Sequence, residues 1–397
     1  MGTSNYCVLP FNSVSISASG ELRQCCNAGY NSSRTYISDL DINGIINNKF
    51  IQDIRKTFVK NKKHSTCGRC WKQEAMGSMS FREIANKDEH HGIRKGITNR
   101  KLGVEFEDIE YIDITLGNKC NLACRMCNWS SSNLLAQQLK EMGIHKGPID
   151  LGFDDESKNK VLQLFRRSVN LKSIYMLGGE PLINPLNDEI LDLLIETGQS
   201  KNIFIHYNTN LQVNKIENYL EKWSHFKGVH IQASIDGSDE IYNYIRWPGN
   251  WKKVLKNLST AVKKGNNDTL KVSISTTIQN INALNIPKLI DTCQTLEECA
   301  VPFFFIPVVG TMTLDVTPKH ILKEAIDLLE AMPKRVWLPL DDLLANYYSA
   351  YETKIEKKKV IAFFKEQKRF DIKRNQNLFE TIPYFGDLAD EFNIERW

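Results

Sequence analysis

Three cysteines, Cys120, Cys124 and Cys127, fall within eight residues in the stretch "NKCNLACRMCNW". A structural zinc takes four protein ligands, so zinc here would need a fourth from elsewhere. A [4Fe–4S] cluster takes one thiolate per iron, and three thiolates leave one iron open to a substrate or cofactor. A second group is Cys7, Cys25, Cys67 and Cys70, with Cys26 beside Cys25. Two separated cysteines plus the pair in "CGRC" supply four thiolates, a set for either zinc or an iron–sulfur cluster.

Two further stretches carry groups suited to an ionic ligand. In "LGGEPLINP" (177–185) the glycines allow close backbone approach, Glu180 is an anionic acceptor and Pro181 stiffens the turn. In "SIDGSDEIYNYIR", Ser234 is followed twelve residues later by Arg246, whose guanidinium suits a carboxylate or a surface ion pair. The stretch "NTN" (208–210) closes a strand-like run with polar side chains.

These groups need elements to hold them. Strand-like runs are read at 110–117, 172–179, 202–210, 229–237, 270–279 and 301–309. Helical patterns are read at 130–141, 156–168, 187–198, 215–226, 251–265 and 286–298. Strand and helix in alternation predict an α/β fold with a parallel sheet and crossover helices. The cysteine loop follows the first of these strands, the sheet edge where reactive groups collect in such folds. Several strands alternate: Val229, Ile231, Ala233 and Ile235 oppose His230, Gln232, Ser234 and Asp236. With one face packed on helices, the other predicts a curved sheet around a polar cavity; a half-exposed sheet gives the same pattern. His206 and His230 are read as core or hydrogen-bonded histidines, with the cavity wall as the other reading. Cys293 and Cys299 are read as small hydrophobes without a function.

The 397 residues allow two or three domains. A formal net charge of +4 is too small to argue for nucleic acid or an anionic membrane. No run is long and apolar enough for a membrane span, and the N-terminus lacks a signal-peptide pattern, so a cytoplasmic protein is expected. Ten cysteines in a reducing compartment point to metal or catalysis rather than to disulfides.

The C-x3-C-x2-C loop after the first strand, "GGEP" after the second and "SIDG…R" after the fourth together resemble the radical S-adenosylmethionine (SAM) superfamily over about residues 108–310. The resemblance implies a [4Fe–4S] cluster on Cys120, Cys124 and Cys127, whose open iron chelates SAM and cleaves it to a 5′-deoxyadenosyl radical. It implies SAM contacts from Gly178, Gly179 and Glu180 to the ammonium, and from Ser234 and Arg246 to the carboxylate and ribose. Asn208 is a further contact. Met126 stands where many members carry an aromatic residue. The N-terminal C-x12-G-x4-C pattern resembles the opening of SPASM and twitch extensions. No cysteine lies between Cys70 and Cys120, so the shorter twitch type is implied, with one auxiliary [4Fe–4S] cluster on Cys7, Cys25, Cys67 and Cys70. Cys26 is the alternative to Cys25. Most such extensions follow the barrel, and this one precedes it.

The expected architecture is therefore a partial (β/α)6 TIM-like barrel at 106–316, after a Cys-rich auxiliary-cluster domain at 1–105 and before a mainly helical extension at 317–397. The expected substrate is a peptide or a polar small molecule such as an aminoglycoside or sugar, with a flavodoxin- or ferredoxin-like electron donor. A nucleic-acid-modifying enzyme and a non-catalytic iron–sulfur or zinc protein that binds a partner are the alternatives. No catalytic residue beyond the cofactor ligands is assigned.

Overall fold

The structure is a computed structural model and describes residues 5–28, 33–87, 102–265, 269–296 and 301–397. Cys299 lies outside them. The described strands are β1 Ser13–Ile16, β2 Leu22–Arg23, β3 Tyr111–Thr115, β4 Ser173–Leu177, β5 Phe204–Thr209, β6 Gly228–Ser234, β7 Leu270–Ile278 and β8 Phe303–Pro307. They hydrogen-bond in the order β2-β1-β3-β4-β5-β6-β7-β8. Each predicted run overlaps one of β3 to β8, with β6 beginning one residue before its run. The pairs β1–β3, β3–β4, β4–β5 and β7–β8 are parallel, and β1–β2 is antiparallel. Parallel neighbours need crossovers, and a helix stands in each interval from β3 to β8.

The crossover helix Asp155–Arg167 shows why these segments are helical. Asp154 accepts the Ser157 N–H, acidic residues fill the first turn and Arg166 and Arg167 fill the last. Val161, Leu164 and Phe165 fall on one face and are buried.

The chain divides into two compact units. The first comprises Met1–Lys119, Asp150–Tyr207 and Asn218–His230. Here register places Ser15, Asp113, Tyr175 and His206 side by side across β1, β3, β4 and β5. On the opposite face Ile112, Ile114, Ile174, Met176 and Ile205 are buried. The face carrying Ser15, Asp113, Tyr175 and His206 is thus a row of polar side chains. The His206 and His230 rings are 5.7 Å apart in an edge-on contact, and both residues are half-buried. β1 pairs with β3, so part of the 1–105 segment extends the same sheet. That strand is only four residues, and its Ser/Val alternation is too short to stand out beside the cysteines. Buried Arg55 anchors this segment through Pro10 O at 2.6 Å and Ile46 O at 2.8 Å.

The second unit comprises Cys120–Ile149, Asn208–Glu217 and Ile231–Trp397. Five helices follow β8, the longest being Lys357–Arg374. Its Val360, Phe363 and Phe364 share a core with Tyr244, Ile245, Ile281 and Phe385. The predicted boundary at 316 therefore falls within one packed unit. Among the described residues no helix is long and apolar enough to cross a membrane.

Candidate metal and cofactor sites

In the first unit, Cys7 precedes the short helix Leu9–Asn12, Cys25 follows β2, Cys67 ends the turn Ser65–Cys67 and Cys70 lies in the helix Gly68–Ala75. All four line one pocket. Among the described residues no three His, Cys, Asp or Glu side chains converge on a single-ion position. Gln24 Nε2 reaches 4.0 Å from the Cys67 sulfur, and Asn27 Nδ2 reaches 3.9 Å from that of Cys70. Amide donors of this kind tune a cluster.

Burial pushes the Cys7 thiol up to about 12 and the Cys67 thiol up to about 11, with neighbouring thiols adding to the rise. Burial and the charges of Cys7 and Cys67 raise Cys25 as well. A bound metal centre would relieve both costs, because it would supply the charge that buried thiolates lack. Cys26 does not line the cavity. Its side chain hydrogen-bonds Asp113, whose other partner is Ser15 Oγ at 3.4 Å. Burial holds the Asp113 carboxyl up at about 6.

The turn "LGGEP" also lies in the first unit. The Gly179 N–H donates to Gly117 O at 3.0 Å, and the Glu180 N–H to Lys119 O at 2.9 Å. A Cβ on Gly179 would stand 2.4 Å from Lys119 O, so only glycine fits there. Glu180 is buried, and its carboxylate accepts the Leu182 N–H at 3.1 Å. Its side chain therefore caps the turn Pro181–Ile183.

The three-cysteine loop belongs to the second unit. Cys124 is buried, while Cys120 and Cys127 are half-buried. The Leu122 N–H points at the Cys120 sulfur at 3.4 Å, and Asn210 Nδ2 lies 3.9 Å from it. Arg246 Nη1 is 3.8 Å from the Cys124 sulfur. Burial raises Cys124 to about 12 against the pull of Arg246 and Arg374. Arg246 Nη2 pairs with Asp236 Oδ2 at 2.7 Å. Burial opposes the charge on Arg246, but Asp236 and Cys124 hold its pKa above the usual guanidinium range. Arg246 Nε is buried and has no hydrogen-bond partner among the described residues. A buried charged donor next to a cluster thiol is what a bound carboxylate would satisfy. Ser234 is half-buried at the end of β6, two residues from Asp236, and Asn208 is half-buried on β5.

Cys120, Cys124, Cys127, Asn210 and Arg246 thus come together in the second unit. Cys7, Cys25, Cys67 and Cys70 come together in the first, which also carries Gly178, Gly179 and Glu180. Sequence reasoning misses Asp113, Arg125, Gln24 and Asn27. Arg125 and Asn27 at least sit within or beside cysteine motifs. Asp113 has one signal, a charge inside a strand.

Residues 114–293 match the Radical SAM superfamily. One curated relative is the sporulation killing factor maturation protein SkfB of Bacillus subtilis (strain 168). It is 22% identical over 243 residues, covering 59% of this chain and 53% of its own, so the chain spans about half the length of that relative. Among solved structures, anSMEcpe with bound AdoMet and Cp18Cys peptide is 17% identical, covers 56% of this chain and 58% of its own, and has a TM-score of 0.39. Streptococcus suis SuiB bound to precursor peptide SuiA is 14% identical, covers 71% and 64%, and has a TM-score of 0.36.

Proposed function

We propose that the chain is a radical SAM enzyme with two [4Fe–4S] clusters that acts on a peptide. The observation that carries this is the three-thiol loop beside Arg246, a buried cation with an unpartnered Nε, inside the residues that match the Radical SAM superfamily. When bound, a [4Fe–4S] cluster on Cys120, Cys124 and Cys127 with SAM would supply hydrogen-abstracting radical chemistry. The protein's own task is to hold, orient and exclude water. Cys120, Cys124 and Cys127 hold that cluster. Arg246, Ser234 and Asn208 would serve the SAM carboxylate and ribose, and the backbone of the turn Gly178–Glu180 would suit the SAM ammonium. Cys7, Cys25, Cys67 and Cys70 hold an auxiliary cluster with no open iron, suited to electron transfer. The polar row across β1 to β5 supplies hydrogen-bond partners for a peptide. A relative named for maturing a killing factor favours a peptide over a sugar. On this reading residues 1–105 supply the auxiliary site, 106–316 the SAM site and 317–397 a helical support, in a partial barrel served by a flavodoxin-like donor.

The test is anaerobic reconstitution with iron and sulfide, followed by SAM and dithionite. About eight irons per chain and release of 5′-deoxyadenosine are expected. Zinc in place of iron, with no SAM cleavage, would sink the proposal.

A further inference from the structure

The three-cysteine loop is neither helix nor strand, and it makes few bonds to itself. The Leu122 N–H points at the Cys120 sulfur at 3.4 Å and the Cys127 N–H reaches Cys124 O at 3.1 Å, and further support comes from elsewhere in the unit. The Ala123 N–H donates to Trp247 O at 2.6 Å, and the Arg125 N–H to Ile245 O at 2.9 Å. The backbone on each side of Cys124 is thus tied to the segment that carries Arg246.

The second support is the helix Lys357–Arg374. The Arg125 side chain, inside the motif itself, is fully buried. Its Nη1 donates to Gln367 Oε1 at 2.7 Å, and its Nη2 to Asp371 Oδ1 at 2.6 Å and Gln376 Oε1 at 2.9 Å. The guanidinium lies 3.6 Å from the Tyr244 ring centre, and the Tyr244 hydroxyl donates to the same Asp371 oxygen at 2.9 Å. From the other side, Arg374 Nη2 donates to Ala123 O at 2.6 Å. Two arginines therefore grip the residues before and after Cys124, one pointing from loop to helix and one from helix to loop.

We propose that Arg125 and the helix Lys357–Arg374 form a clamp that fixes the three-cysteine loop in its cluster-binding shape. Buried ion pairs contribute little net stability against a hydrophobic alternative, and their best-attested use is to set one geometry. Asp371 is suited to that use. Its Oδ2 also accepts the Leu378 N–H at 2.7 Å and Trp397 Nε1 at 3.0 Å, so the carboxylate cannot swing away. Arg125 is a positioning residue for the cluster, and the helix following the SAM domain is part of the metal site's support.

The inference rests on the cluster reading of the loop, and the test separates the two. Arg125→Lys keeps the charge and loses the fork. In the full chain reconstituted anaerobically, it should hold about four irons where the wild type holds about eight. The electron paramagnetic resonance signal that SAM perturbs should be lost, and the signal of the four-cysteine site kept. Gln376→Ala, at the part-buried edge of the clamp, serves if Arg125→Lys does not fold. In the iron-free Gln376→Ala chain, deuterium exchange at residues 120–127 should quicken roughly tenfold or more, with β3 and β4 unchanged. Unchanged exchange there, or full iron with a wild-type SAM-sensitive signal in Arg125→Lys, overturns the clamp. A wild-type chain whose loop takes up no cluster overturns the cluster reading instead, while faster exchange in Gln376→Ala still supports the clamp.

Discussion

The neighbours Gly178 and Gly179 separate steric need from cofactor approach. A Cβ on Gly179 would stand 2.4 Å from Lys119 O and 2.6 Å from Asn118 O. Both are main-chain atoms, and the Glu180 N–H already bonds that Lys119 O at 2.9 Å. Relief therefore means moving backbone and stretching a bond rather than turning a side chain. Overpacking typically costs about 1–3 kcal/mol, and the absence of a compliant neighbour places Gly179→Ala near the top, at about 3 kcal/mol. With a urea slope of about 3 kcal/mol/M, the unfolding midpoint should fall by about 1 M. On Gly178 the nearest atom to a new Cβ is Gly117 O at 3.5 Å, an ordinary contact. Gly178→Ala should therefore leave the midpoint within about 0.2 M of wild type. If the turn meets SAM through its backbone, that added methyl should instead weaken SAM binding to the reconstituted protein by about tenfold or more. The assays are far-UV circular dichroism in urea on iron-free protein, and equilibrium dialysis of SAM. Equal midpoints for the two variants would refute the steric argument. Wild-type SAM affinity in Gly178→Ala would refute the close approach.

Three other outcomes follow from the same geometry. Arg246→Ala leaves the Asp236 carboxyl buried without its cation, at a cost of about 3–5 kcal/mol, and pairing it with Asp236→Asn should recover part of that in a urea double-mutant cycle. Asp113 is raised by burial to about 6, so between about pH 4 and 6 the folded state holds a proton the unfolded chain has released. Its stabilisation is thus full below about pH 4 and lost as pH rises through 6. That rise above an ordinary aspartate is worth about 3 kcal/mol, and Asp113→Asn should flatten the slope in urea titrations across the range. Cys70→Ser should lower iron uptake by about four per chain while SAM still perturbs the remaining signal, measured by iron analysis and paramagnetic resonance.

What the sequence made legible was local. The strands β3 to β8 and their helices read directly from period, because each apolar face repeats within a few residues of itself. The spacing of Cys120, Cys124 and Cys127 was legible as one loop, because residues so close in sequence stay close in space. What stayed hidden depends on residues far apart in the chain or on direction. Arg125 meets Asp371 across 246 positions, and nothing in "CRMC" tells a buried clamp from an exposed charge. Cys25 and Cys26 are chemically alike, and their difference is orientation. They follow β2 in a bend and turn that the Ala28 N–H closes on Cys25 O at 3.1 Å. One lines the thiol cavity and the other turns to Asp113.

The Ser-to-Arg spacing shows both sides at once. Sequence alone places Arg246 by its distance from Ser234, and the structure gives that distance a cause. After β6 the chain turns into the helix Asp239–Ile245, which Ser238 precedes and Arg246 ends. A helix of about two turns spans about 10 Å, enough to return the side chain over the strand end it left. There Arg246 meets Asp236, which in the sequence is one more polar residue in the alternation that β6 begins. Asp236 binds two of its neighbours, the Arg246 guanidinium at 2.7 Å and the Thr277 N–H at 2.7 Å. It fixes the guanidinium before any cofactor arrives, and so removes most of the ordering cost that a long side chain otherwise incurs on binding. The charge-preserving variant Asp236→Glu should therefore keep the cation and still lose SAM affinity, because the longer arm displaces the fork. Dialysis showing wild-type affinity in that variant would mean that the charge near Cys124 matters and its placement does not.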